Sequence, residues 1–250
     1  MMLRSFAAAA LVLAATMSVP CVAGDQRLLV LEGSWVKWGA PKWSAGATVT
    51  YGFAMSEVKT PSARNCAVLR PLDGFEKQAE FADDRVRAEA AAAFAAWSKI
   101  ANLTFVEAAN EAEADILIGA QGNPRGRAFT NIELDSGPLA SAPATERGLV
   151  AGDEPAQPPA NAHSVRTIRQ ALICLNPQAR WKIGFDGDLD VYDLHYTFMH
   201  EIGHAIGLDH PGAAGALMGF RYDEKLKGPT PGDSEAARKL YGSPLTPTTR

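Results

Sequence analysis

The stretch HEIGHAIGLDH, residues 200–210, places three histidines and two glycines within eleven residues. On a helix, His200 and His204 lie one turn apart on the same face, so both imidazoles can reach one metal ion. A straight helix would carry His210 away from that ion, but Gly207 can adopt positive φ, end the helix and turn the chain back. Three neutral imidazoles suit zinc, which keeps a fourth position open for water in catalytic sites. The stretch therefore predicts a helix that ends at a catalytic zinc ion held by all three histidines.

Glu201 follows the first predicted ligand directly. Zinc lowers the pKa of a bound water toward about 7 and polarises a scissile carbonyl. Glu201 is then placed to take the proton of that water and pass it to the leaving amine. The motif therefore predicts hydrolysis of a peptide bond by a zinc-activated water, with Glu201 as the general base.

Hydrophobic periodicity predicts an α+β domain along the rest of the chain. An amphipathic helix is expected over residues 83–101, and the helix that carries the zinc motif should begin at Asp190, with Asp193 completing a near capping box. A last helix should have Thr230 as its N-cap and end at Gly242. Strands are expected at residues 47–54, 103–107, 115–119, 126–130 and 168–175.

The N-terminus has the composition of a secretory signal peptide. Arg4 precedes an apolar run that ends at Pro20, before the small residues Ala23 and Gly24. We therefore expect a cleaved segment at residues 1–24 and a secreted or periplasmic product. No later segment has the apolar length of a transmembrane helix, so no membrane anchor is expected.

The remaining chain is expected to form one catalytic domain, residues 25–245, with a C-terminal tail at 246–250. Residues 136–164 are rich in Pro, Ala, Gly and small polar residues, which predicts an exposed, mobile loop. The net charge of −4 is mild and argues against nucleic acid or an anionic membrane as the main partner. We expect a monomer that acts on polypeptides.

Two cysteines, Cys66 and Cys174, follow the predicted signal peptide. In an oxidising compartment an even pair favours one disulfide that ties a surface loop to a core strand. The alternative is a Cys66 thiolate bound to the zinc ion.

HEIGHAIGLDH followed by ALMGF, residues 216–220, resembles the metzincin zinc endopeptidases. The resemblance implies that Met218 is the Met-turn residue beneath the metal. Within the metzincins the chain is similar to the matrixin catalytic domain over residues 33–243. The similarity includes AFAAWSKIANLTFVEA, ADILIG and DSEAARKLYG, in matrixin order.

Some positions depart from the matrixin pattern. Pro211 and Gly212 after the third histidine are similar to serralysins, whereas matrixins usually have serine there. Serralysins place a metal-binding tyrosine two residues after the methionine, but this chain has Phe220, which cannot ligate zinc. The chain also lacks the serralysin calcium repeats, so the matrixin-like assignment stands.

The resemblance implies a metzincin fold: a twisted, mixed, five-stranded sheet, two long helices, and a small C-terminal subdomain with the Met-turn and the final helix. In that family an extended peptide pairs with an exposed strand edge above the zinc ion. The candidate substrate-binding residues are Arg127, Ala128 and Phe129 on the predicted edge strand, and Phe220 and Tyr222 beside the side-chain pocket.

The sequence argues against further metal sites of recognised type. His163 and His195 are too few for the second, structural zinc of animal matrixins. Asp186, Asp188 and Asp190 fail the EF-hand pattern. Calcium bound elsewhere stays open.

Together these features predict a secreted zinc-dependent endopeptidase. Two alternatives remain: a non-catalytic zinc- or peptide-binding protein on the same scaffold, and a zinc amidase that acts on a non-protein amide. The intact Glu201 argues against the first, because a binding protein has little need for a proton acceptor. The motif residues alone do not separate the second from a peptidase.

Overall fold

The structure is a computed structural model that describes residues 27–61, 63, 65–73, 81–135, 164–212 and 215–245. The predicted signal peptide, the tail at 246–250 and nearly all of the predicted loop at 136–164 lie outside the described residues. The described helices are α1 (Asp83–Ser98), α2 (Leu194–Ala205) and α3 (Pro231–Tyr241), with a 3₁₀ turn at Glu111–Glu113.

The described strands are numbered in chain order. They are β1 (Arg27–Leu28), β2 (Val30–Leu31), β3 (Ser34–Lys37), β4 (Ala47–Phe53), β5 (Val58–Lys59), β6 (Val68–Arg70), β7 (Leu103–Glu107), β8 (Ile116–Gln121), β9 (Ala128–Leu134), β10 (Val165–Leu175), β11 (Trp181–Lys182), β12 (Tyr192–Asp193) and β13 (Leu208–Asp209).

Strand β10 is the centre of the main sheet. It pairs in parallel with β8, which pairs in parallel with β4, and β4 pairs in parallel with β7. On its other side β10 pairs antiparallel with β9, so that Thr130 faces Ile173. The second edge of β9 has no strand partner within the described residues. The sheet is therefore mixed, with an antiparallel strand at the edge that faces α2.

Both faces of the central strands are buried, which explains why they read as nearly continuous apolar runs. Ile116 and Ile118 of β8 face the helices and belong to the main core. The intervening Leu117 faces the opposite side, where it packs with Cys66 and Cys174 in a smaller core. The helices are therefore packed on one face of the sheet, as side-chain alternation along a strand requires.

Helices α1 and α2 pack against each other over the main core. The indole Nε1 of Trp97 on α1 donates to the carbonyl of Met199 on α2 at 2.9 Å. At the end of α2, the carbonyl of Ala205 accepts from Trp38 Nε1, and that of Ile206 accepts from the Tyr241 hydroxyl, each at 2.8 Å. The last carbonyls of a helix have no partner within it, so these two bonds satisfy them and fix where α2 ends.

The α+β class with a mixed sheet is confirmed, and each of the five predicted strands is present. The sheet has nine strands rather than five, because short strands β2, β3, β5 and β6 extend it. The predicted start of α2 at Asp190 is wrong. The helix begins at Leu194, since the Asp193 carboxylate accepts from Tyr196 N and acts as the N-cap. Helix α3 begins and ends as predicted, with Thr230 as N-cap and Gly242 as C-cap.

Candidate zinc centre and active site

The three predicted zinc ligands converge in the structure. His200 and His204 lie one turn apart on α2, and His210 follows the turn at its end. Nε2 of His210 lies 3.2 Å from Nε2 of His200 and 3.2 Å from Nε2 of His204. Zinc–nitrogen bonds of about 2.0–2.1 Å in tetrahedral geometry separate two nitrogen ligands by about 3.3 Å. All three ligand nitrogens lie within 4.8 Å of one another, so these residues, hereafter the histidine cluster, could hold a metal ion such as zinc.

Hydrogen bonds orient two of these rings for metal binding. Nδ1 of His200 lies 2.8 Å from the carbonyl of Leu217, and Nδ1 of His204 lies 2.9 Å from the carbonyl of Leu208. A carbonyl can only accept, so in each ring Nδ1 carries the proton. That tautomer leaves the Nε2 lone pairs facing the centre of the histidine cluster, as ligation requires.

Gly207 makes the turn that returns His210 to the cluster. Its φ is +95°, a conformation that favours glycine. A Cβ atom at this position would also lie 2.1 Å from the carbonyl oxygen of Val36, so any other residue would clash with β3. Directly after it, β13 pairs antiparallel with β1, which holds the segment before His210 against the N-terminal strands. The predicted role of Gly207 agrees with this geometry.

Burial keeps His204 and His210 in the form that binds metal. Desolvation, together with the smaller effect of the charge of His200, lowers the pKa of His210 to about 3. Desolvation, followed by the charges of His200 and His210, lowers the pKa of His204 well below its ordinary value. Neutral imidazoles are the metal-binding form, so these two ligands do not require deprotonation at neutral pH.

Glu201 lies on α2 with 6% of its surface exposed. Burial raises the pKa of its carboxyl group, while the charge of His200 and a hydrogen bond from Thr130 oppose that effect. The Thr130 hydroxyl donates to Oε2 of Glu201 at 2.7 Å. A raised pKa in a partly desolvated site is characteristic of a general base. The sequence predicted that Thr130 lies in the edge strand, but not that it contacts Glu201.

The segment after the histidine cluster passes directly beneath α2. Met218 is fully buried, and its sulfur lies so close to Gly203 that a Cβ there would be 2.2 Å from it. The buried carboxylate of Asp233, in the first turn of α3, accepts from the backbone N–H of Leu217 at 3.0 Å and of Met218 at 3.4 Å. The first glycine of the motif, Gly203, therefore makes room for the methionine, and α3 anchors the turn.

Phe220 lies over the third histidine. Its ring stacks on that of His210 with centroids 3.9 Å apart and planes 25° apart, yet 73% of its surface is exposed. Phe220 thus covers one face of a predicted ligand, at the position where serralysins have their metal-binding tyrosine.

Tyr222 and Arg127, predicted to bind substrate, lie at opposite ends of an aromatic row. Tyr222 stacks on Tyr192 at 4.5 Å, and the Arg127 guanidinium lies 4.5 Å from the centroid of the same Tyr192 ring. Arg127 also donates to the carbonyl of Asp190. This row joins the start of β9 to the segment after the Met-turn. Ala128 and Phe129 lie on β9 itself, the strand with the open edge.

The ammonium group of Lys182 lies among acidic residues near the segment before α2. Lys182 contacts the carboxylates of Asp186 and Glu224, the latter at 2.5 Å, and donates to the carbonyl of Asp188 at 2.7 Å. Burial alone would lower the pKa of Lys182, but hydrogen bonds from it to the two carboxylates raise it. We call Lys182, Asp186 and Glu224 the lysine cluster. It explains these acidic residues without a bound metal ion.

His195 and the cysteines lie apart from the histidine cluster. Nδ1 of His195 faces Glu89 of α1, 3.2 Å from its carbonyl and 3.3 Å from its carboxylate. His163 lies outside the described residues. Cys66 and Cys174 form a disulfide that ties the segment before β6 to β10. Cys66 is thus occupied by a partner other than zinc.

Comparison with known proteins agrees with this geometry. A family model described as Matrixin matches residues 74–242. Stromelysin-3 of Rattus norvegicus is 34% identical over 170 residues, and stromelysin-3 of Homo sapiens is 30% identical over 169 residues. Each match covers 66% of this chain but 29% of the relative, so the chain corresponds to less than a third of those proteins. No described helix combines the length and apolarity needed to cross a membrane. The match over more than half of its length shows that the chain belongs to the matrixin family of zinc endopeptidases.

Proposed function

We propose that this chain is an exported, monomeric zinc endopeptidase that hydrolyses internal peptide bonds of polypeptides. The observation that carries the proposal is the convergence of three Nε2 atoms on one point, with the buried carboxylate of Glu201 on the same helix. The disulfide between Cys66 and Cys174 supports an oxidising compartment.

His200, His204 and His210 would hold the zinc ion. When bound there, zinc acts as a Lewis acid toward water and the scissile carbonyl. Glu201 accepts the proton of the attacking water and delivers it to the nitrogen of the leaving amine. Burial raises the pKa of its carboxyl group, which favours acceptance of a proton.

Strand β9 is proposed to bind the substrate. Its open edge can pair with an extended peptide, so backbone hydrogen bonds would hold the chain beside Glu201. Ala128 and Phe129 would contribute backbone groups to this pairing. Phe220 and Tyr222, which follow the Met-turn, would line the pocket for a substrate side chain.

The test uses the purified mature protein with casein, with and without a zinc chelator, beside Glu201→Ala. The parent should cleave casein, and the chelator should abolish cleavage. Glu201→Ala should keep one zinc per chain and lose about 10²–10⁴-fold in rate, the usual contribution of a general base.

Two results would overturn the proposal. If Glu201→Ala cleaves as fast as the parent, Glu201 is not the base. If the parent binds one zinc per chain but cleaves no polypeptide, the chain is a binding protein or an amidase instead.

A further inference from the structure

The Thr130 hydroxyl lies within hydrogen-bond distance of two oxygens of Glu201. It donates to the carboxylate oxygen Oε2 at 2.7 Å and lies 3.0 Å from the backbone carbonyl oxygen of the same residue. A hydroxyl that donates to a carboxylate forms a charge-assisted bond, about twice as strong as a neutral one. Thr130 therefore holds the carboxylate of the residue that the proposed mechanism uses as its base.

The register of β9 explains why Thr130 points at α2. Ala128 and Ile132, two residues before and two after it, pack on the main core beneath the helices. Residues two apart on a strand share a face, so Thr130 lies on that face as well. Asn131 faces the other way, where its side-chain amide donates to the carbonyl of Cys66.

We propose that Thr130 is a positioning residue for the general base, an inference that rests on the function proposed above. A carboxylate has two oxygens, and the Glu side chain has several rotatable bonds. By binding Oε2, Thr130 selects one rotamer of Glu201 and leaves Oε1 to accept the proton of the attacking water.

Because Thr130 lies on β9, one strand is connected to both the substrate and the base. The strand whose open edge would pair with the peptide also carries the hydroxyl that fixes the base. A peptide bound in register on β9 is thus aligned with the Glu201 carboxylate through one residue. Such alignment of a catalytic group with the reacting atoms lowers the barrier without adding binding energy.

The experiment compares Thr130→Val, which keeps the shape and removes the hydroxyl, with Thr130→Ser, which keeps the hydroxyl. Thr167→Val is the matched control, because Thr167 on β10 donates to the carbonyl of Gly39, away from the histidine cluster. We expect Thr130→Val to lower kcat about tenfold with KM unchanged, since a bond to a charged group is lost while the β9 backbone remains. Thr130→Ser and Thr167→Val should keep the kcat of the parent.

A second readout does not depend on activity. In the zinc-free protein, Thr130→Val should lower the midpoint of thermal unfolding more in the parent than in the Glu201→Ala background, where the carboxylate is absent. Zinc content should stay at one per chain in all variants.

The outcomes separate this inference from the proposed function. If the parent cleaves casein in a Glu201-dependent way but Thr130→Val keeps the kcat of the parent, only the role of Thr130 is overturned. The same holds if Thr130→Val lowers the unfolding midpoint equally in both backgrounds, or raises KM without lowering kcat, because Thr130 then only supports β9. A parent without Glu201-dependent cleavage overturns the proposed function itself.

Discussion

The histidine cluster and the lysine cluster lie near opposite ends of α2 and bring together different kinds of side chain. In the histidine cluster, Nε2 of His210 lies 3.2 Å from Nε2 of His200 and of His204, and all three ligand nitrogens lie within 4.8 Å of one another. The lysine cluster gathers carboxylates around the ammonium of Lys182, whose side chain is 12% exposed. The first cluster is proposed to take up a metal ion, and the second already contains a positive charge from a side chain of the same protein.

The difference shows how ligand type separates a metal site from a structural ion pair. Imidazole nitrogens that turn their lone pairs toward one point form a binding site for a metal ion. Carboxylates need a positive charge, which a lysine can supply without any metal. The segment that looks acidic in the sequence is therefore balanced internally, while the histidine cluster is arranged so that it could hold a metal ion.

His204→Ala is expected to have the largest effect of the substitutions considered. It removes one of three ligands, so zinc affinity should fall at least about a hundredfold, because even the partners of metal ligands are worth 10–100-fold. Cleavage of casein should be lost at micromolar zinc. Zinc content by elemental analysis and a competition titration with a chelating dye measure the effect.

Lys182→Met is the control for that experiment, since it empties the other cluster. It should keep one zinc per chain. A His204→Ala protein that retained full zinc affinity would show that the histidine cluster does not hold the ion as proposed.

Lys182→Met should itself lower the midpoint of thermal unfolding, by about 2 °C at pH 6–7 for a pair near the surface. The physical reason is the repulsion left between Asp186 and Glu224 once the ammonium is gone. In the parent, the bond from Lys182 is the main cause that lowers the pKa of both carboxyls below their ordinary values, 3.8 and 4.5.

The sign of the pH effect follows from those lowered pKa values. A carboxyl with a lower pKa in the folded state stabilises the fold above its ordinary pKa, and that contribution is lost as the pH falls through the folded value. The difference in unfolding midpoint between parent and Lys182→Met should therefore be full at pH 6 and shrink below about pH 4. A difference that stays constant from pH 6 to pH 3 would mean that charge is not the cause.

Much of the histidine cluster could be predicted from the sequence because its geometry is local. Helical spacing places His200 and His204 on one face, and the turn that follows α2 requires glycine at position 207. The strands at β4, β7, β8, β9 and β10 also follow from local patterns. The start of α2 was misplaced because Asp190 and Asp193 both resemble caps, and only the packing of Tyr222, whose hydroxyl accepts from Asp193 N, distinguishes them.

Apart from the disulfide between Cys66 and Cys174, contacts between distant segments could not be predicted. Lys37 reads as a surface residue, yet it is fully buried, donates to the carbonyls of Trp38 and Ala40, and has its pKa lowered to about 8 by burial. Thr130 is 71 residues from Glu201 along the chain. Such pairs depend on how the strands and helices pack, and no periodicity within one segment encodes that.

Substitution of Phe220 is expected to have the smallest effect, a change in the rate at which the histidine cluster releases zinc. Its ring covers His210 but is 73% exposed, so its removal leaves all three ligands in place. Stacked aromatic pairs contribute about 0.5–1.5 kcal/mol, so Phe220→Ala should speed zinc release to a chelating dye by about two- to tenfold. Leu189, another exposed hydrophobic residue, lies before α2, and Leu189→Ala should leave the release rate unchanged. Phe220→Tyr keeps the ring and should release zinc no faster than the parent. Equal release rates for Phe220→Ala and the parent would show that the stacked ring does not help hold His210 on the metal.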